Sequence, residues 1–237
     1  MTTVAEIEAA LSLERFARYV SWAGGDRERA LALYALNTQL SEALYTPLQV
    51  LELALRNRIH TVMWAAHGDR WFEIDGLLRV PQQCEQVADA LADLAKESKE
   101  PTPGRVVAAL TFSFWTAMVS PAYEELWRRT LNEIALTADG RRLNRKQLSR
   151  PLTPIRILRN RIAHHEPILH WDLRKHHAAM AEVTSWLSPA AAVWCARADR
   201  FPSVFPAEGY RLLDLDMVGE DLDKVGEGLD NAGEKDS

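Results

Sequence analysis

Apolar residues recur at three- and four-residue steps along most of this chain, and period-two alternation is nowhere sustained. Leu48, Leu51, Leu55, Ile59 and Val62 form one such stripe, Val87, Leu91 and Leu94 a second, and Ile155, Leu158 and Ile162 a third. At about 100° per residue each set falls on one side of a helix, which must then be buried. The pattern predicts an all-α fold.

Helix breakers divide the pattern. Residues 3–22 read as an amphipathic helix that Gly24-Gly25 ends, and Asp26 can cap a second helix reaching Tyr45. Thr46-Pro47 and Thr153-Pro154 each read as an N-cap followed by a proline at the first helical position, where its missing N–H is no loss. Pro81 begins a further helix to about Ser98. Residues 101–104, PTPG, make a loop within one domain, because neither flank has enough apolar surface to close a separate core. The nearly unbroken apolar run 105–119 reads as a buried central helix, in which Phe112, Phe114 and Trp115 are core rather than a base-stacking platform. Helices over about 120–136, 172–187 and 189–198 complete residues 1–206 as a single domain. Residues 207–237 form an acidic tail, with disorder expected from about Gly219.

Composition excludes several classes. Hydrophobic content of 47% and charged content of 26% are those of a soluble globular chain, and the two cysteines, Cys84 and Cys195, have neither metal-ligand spacing nor a disulfide framework. With no apolar run approaching the ~20 residues that span a bilayer, and no leader-like h-region, a cytoplasmic location is expected. The net charge of −5 is unevenly spread: 208–237 holds 10 acidic and 3 basic residues, leaving the remainder slightly positive. Residues 140–165 contain no Asp or Glu but carry Arg141, Arg142, Arg145, Lys146, Arg150, Arg156, Arg159 and Arg161. Such a strip is either a solvated basic face or a set of phosphate contacts.

The stretch 153–167, TPIRILRNRIAHHEP, carries the densest chemistry. Adjoining its apolar side, Arg156, Arg159, Asn160, Ala163 and His164 spread over an arc of roughly 140°. Asn160 and His164, four apart, are neighbours on the helix. Arg159 is too far round to pair with His164, yet both can face one substrate across the small Ala163. Either His165 and Glu166 form the helix end, with His165 turned coreward to cap carbonyls, or one of them tunes His164 or touches substrate. Leu55-Arg56-Asn57-Arg58-Ile59 repeats Leu158-Arg159-Asn160-Arg161-Ile162 without the following histidine spacing. It is either a coincidence of amphipathic composition or a support, through Glu52, Arg56 or Asn57.

Arg-Asn-x-x-x-His, here Arg159, Asn160 and His164, resembles the signature of the HEPN superfamily, and LRNRIAHHEPI at 158–168 resembles the C-terminal motif of its Abi-like (abortive infection) proteins. The stretches LELALRNRI at 51–59 and ALTFSFWTAMVSPAYEELW at 109–127 are similar to further blocks of that family, although Ser113 replaces a usual glycine. The resemblance implies a HEPN-like helical bundle with additional helices. It further implies a metal-independent endoribonuclease that works as a homodimer, with two motif copies at one cleft and Arg159, Asn160 and His164 catalytic. A role as a toxin or in phage defence would follow, restrained by a protein or RNA antitoxin. The alternative is a non-catalytic HEPN module that binds RNA or a protein.

Histidine titrates near neutrality and can act as base or acid, while arginine stays charged and can offer two parallel hydrogen bonds to a phosphate. No cofactor is expected. The histidines lack the spacing of a zinc site, and neither a phosphate-binding glycine loop nor a GxSxG elbow is present.

Overall fold

The computed structural model describes residues 4–11 and 13–213 and is all-α, without a sheet among them. The helices are α1 (Val4–Leu11), α2 (Leu13–Trp22), α3 (Arg27–His67), α4 (Pro81–Lys96), α5 (Pro103–Ala109), α6 (Phe112–Ala117), α7 (Glu124–Arg129), α8 (Arg145–Ala163), α9 (Leu173–Leu187), α10 (Pro189–Ala198) and α11 (Phe201–Val204). The expected disorder from about Gly219 lies outside the described residues.

Two expected helix starts are corrected. Helix α3 runs through Pro47, and α8 runs through Pro151 and Pro154. An interior proline deletes one helical hydrogen bond and costs about 3 kcal/mol in isolation. Here the buried stripe continues past it: Leu40, Leu44, Leu48, Leu51 and Leu55 are all buried, as are Leu148, Leu152, Ile155 and Leu158. Burying one such side chain contributes about 1.5–3 kcal/mol, so several outweigh the lost bond. Thr153 is not an N-cap; its hydroxyl donates to the Ser149 carbonyl at 3.1 Å. The true start of α8 is a capping box. Asn144 Oδ1 accepts from Gln147 N at 2.8 Å while Gln147 Oε1 accepts from Asn144 N at 2.9 Å.

The run 105–119 is likewise two helices rather than one. Leu110 and Thr111 are extended, and Thr111 caps α6 by accepting from Phe114 N. Phe112, Phe114 and Trp115 are core, as expected.

The described residues form two compact units. The first draws on the described residues within Met1–Thr46, Ile157–His177 and Ala198–Ser237. Phe16, Tyr19, Trp22, Leu33, Leu158, Ile168 and Phe201 are buried there, and Asn37 Oδ1 accepts from Ile168 N at 2.8 Å. The start of the acidic tail is ordered in this unit, since the Tyr210 hydroxyl donates to the Leu169 carbonyl at 2.9 Å and Leu213 N to the Trp22 carbonyl at 3.0 Å. The second unit comprises Pro47–Arg156 and Ala178–Arg197. Its core holds Leu51, Leu55, Ile59, Met63, Trp71, Phe114, Trp115, Leu152, Ile155, Met180 and Val183. Gln83 Nε2 donates to the Phe114 carbonyl at 2.9 Å, and the Tyr123 hydroxyl in turn accepts from Arg79 N at 2.8 Å.

Candidate functional site

Arg159, Asn160, His164, His165 and Glu166 belong to the first unit, whereas Arg156, Glu52, Arg56 and Asn57 belong to the second. Leu158 anchors the C-terminal turns of α8 in the first unit's core. That burial sends the opposite face outward. His164 is exposed and its N–H donates to the Asn160 carbonyl at 2.9 Å; Asn160 itself is half-buried. Arg159 is half-buried and partnered.

The helix end explains the doubled histidine. His165 N donates to the Ile162 carbonyl at 3.1 Å and Glu166 N to the Arg161 carbonyl at 2.8 Å, with His165 at φ 56°. This is a Schellman ending with a left-handed residue after the cap. Helix α2 ends identically, with Gly24 at φ 67° in the corresponding place. His165 therefore caps through its backbone, and its side chain is exposed rather than turned coreward. The left-handed region is costly for a residue with a Cβ. His165→Gly is expected to raise stability by about 0.5–1 kcal/mol in urea unfolding, the strain relief being partly offset by the freer unfolded chain. A loss of stability would mean that the imidazole makes contacts of its own.

Glu166 is the partner of Arg161, its carboxylate lying 3.2 Å from the guanidinium, and the same guanidinium sits 5.7 Å over the Trp171 ring. The pair compensates the Glu166 carboxylate and ties the loop back to the helix. In the second unit Arg156 and Glu52 are half-buried, Glu52 is partnered, and Asn57 is exposed. Arg56 is half-buried with an Nε that meets no acceptor.

Part of the basic strip is internally neutralised. Arg141 pairs with Asp139 at 2.6 Å, and Arg142 with Glu133 at 3.0 Å. Arg145 is buried, donating to the Glu124 carboxylate at 2.7 Å and to the Val119 carbonyl at 2.9 Å. Lys146 and Arg150 remain exposed.

Among the described residues no group of three or more His, Cys, Asp or Glu side chains is placed to hold a metal. The later histidines serve packing. His177 pairs with Asp199 and stacks on Phe201, with ring centroids 4.4 Å apart. His170 lies 5.7 Å from Trp22, and burial, reinforced by Arg161 and Arg18, pulls its imidazole down to about 4. Burial also lowers His176.

These shifts fix a pH dependence. Unfolded histidine protonates below about 6.5, whereas folded His170 does so only near 4. Between those values the unfolded state binds more protons, so stability falls as pH drops through the window and levels off below it. The share due to His170 is on the order of 1–2 kcal/mol after discounting for solvent screening. Its Nδ1 is buried without a partner, so His170→Phe should flatten the slope of stability between pH 6.5 and 4. An unchanged slope would show that other groups carry it.

The capping box was readable in sequence as Asn-x-x-Gln, whereas the Arg161–Trp171 contact has no local signal. Comparison with family models, with curated proteins and with solved structures finds no match for this chain. No helix among the described residues is long and apolar enough to cross a membrane.

Proposed function

We propose that this chain is a metal-independent endoribonuclease of the HEPN, Abi-like type. The observation that carries the reading is an exposed imidazole, His164, at the open end of α8, one turn beyond Asn160. A phosphodiester can reach such a group, and the carboxylate of Glu166, two residues on in sequence, is compensated by Arg161.

In this reading His164 of one copy accepts the proton of a ribose 2′-OH while O2′ attacks the adjacent phosphorus. The bond from phosphorus to O5′ breaks, and the second copy's histidine protonates the leaving oxygen. Arg159 offsets charge on the non-bridging oxygens, and Asn160 orients the imidazole or holds the substrate. The products are a 2′,3′-cyclic phosphate and a 5′-hydroxyl. Acting in the cytoplasm, such an enzyme limits growth or phage propagation, and an antitoxin of protein or RNA restrains it.

A second reading, a non-catalytic RNA- or protein-binding module, is favoured by one observation: Arg159 is half-buried and already partnered. Incubating the purified protein with total RNA in EDTA separates the two. Cleavage supports the enzyme; binding without cleavage supports the module.

A further inference from the structure

The outward face of α3 in the second unit carries the exposed Leu53, Asn57 and Trp64 and the half-buried His60, at steps of four, three and four residues. On a helix these residues form one seam, diametrically opposed to the buried Leu51, Leu55 and Ile59. Trp64 is 57% exposed and Leu53 38%, so two large apolar side chains meet water there. The spacing is that of the alternating core positions of paired helices, in which a polar residue fixes the register.

His60 is held in a defined form. The buried Trp71 indole N–H, which can only donate, bonds to His60 Nδ1 at 3.0 Å. The neutral ring therefore carries its proton on Nε2, and it lies nearly parallel to Trp64, at 14°.

We propose that this face of α3 pairs antiparallel with the same face of a second copy of the chain. Leu53 of each copy then seats on the second copy's Trp64, and each Asn57 carbonyl oxygen accepts from the second copy's His60 Nε2–H.

The arrangement follows from the seam itself. In an antiparallel pair, partners have residue numbers of constant sum. Leu53 with Trp64, and Asn57 with His60, share one such sum, so a two-fold axis between residues 58 and 59 satisfies both. One layer is then apolar on both sides, while the other matches a donor to an acceptor. A parallel pair would instead set Trp64 against Trp64 and His60 Nε2–H against another Nε2–H, leaving two donors facing each other. A second copy is thus the occupant that the four side chains fit. They cover only part of the roughly 800 Å² per partner found in stable interfaces, so association should depend on concentration in the micromolar range. The seam contains neither Arg159, Asn160 nor His164.

Sedimentation of the full chain up to about 100 μM tests it. The mass should rise from the 26.8 kDa monomer towards twice that value. Leu53→Asp and Trp64→Glu, both on outward positions and checked for helicity by circular dichroism, should stay monomeric, while His164→Ala should associate like wild type. A monomeric wild type, or association unchanged in both seam variants, would overturn the proposal. The orientation is tested by oxidation in a Cys84→Ser background. A mixture of Leu53→Cys and Trp64→Cys chains should form the mixed disulfide, and neither variant should cross-link alone. Cross-linking of Trp64→Cys by itself would overturn the antiparallel arrangement.

Discussion

His164→Ala is expected to lower RNA cleavage by at least about 10²–10⁴-fold, the usual contribution of a positioned acid or base, while leaving the fold intact. The side chain is exposed at the end of α8, so its removal opens no cavity. His165→Gly supplies the contrast. It alters the adjacent residue, which serves the helix end through its backbone, and should cleave like wild type. Equal losses in the two variants would point to disruption of the helix end instead of chemistry at one imidazole. Undiminished cleavage by His164→Ala, in protein freed of contaminating nuclease, would remove His164 from the mechanism.

The largest expected effect on stability is at Trp71. It is fully buried, with ring centroids 5.7 Å from Phe72 and 6.3 Å from both Phe114 and Trp115. Trp71→Ala should cost about 3–5 kcal/mol, combining lost burial with the cavity left behind. Trp71→Phe keeps most ring contacts but removes the donor to His60 Nδ1, so about 1–2 kcal/mol is expected. Urea unfolding measures both. A cost below about 1 kcal/mol for the alanine variant would mean that the second unit's core is not built around this indole.

Helix type was legible because the apolar spacing is strong. Leu51, Leu55 and Ile59 are buried as their period requires. Helix boundaries were not, because local punctuation competes with burial that local sequence does not weigh. Thr46-Pro47 and Thr153-Pro154 have the form of helix starts, yet continuous buried stripes carry α3 and α8 past them. Conversely, the run 105–119 looks unbroken, but Thr111 finds an amide to cap and divides it.

At the site, the exposure of His164 follows from its place opposite Ile155 and Leu158. The role of His165 does not, because a left-handed cap ordinarily announces itself as glycine, as at Gly24. The pairing of Glu166 with Arg161 depends on the same turn folding the chain back. The outward seam of α3 was hidden for another reason. The period alone puts Leu53 and Trp64 opposite the stripe of Leu51, Leu55 and Ile59, but whether another element covers that face is decided only by their observed exposure.

The end groups of RNA cut by the EDTA-treated protein test the account most directly. Transfer through a 2′-oxygen predicts 2′,3′-cyclic phosphate and 5′-hydroxyl termini, produced by the wild type and absent with His164→Ala. Termini bearing 3′-hydroxyl and 5′-phosphate, or RNA left whole by the wild type, would contradict it.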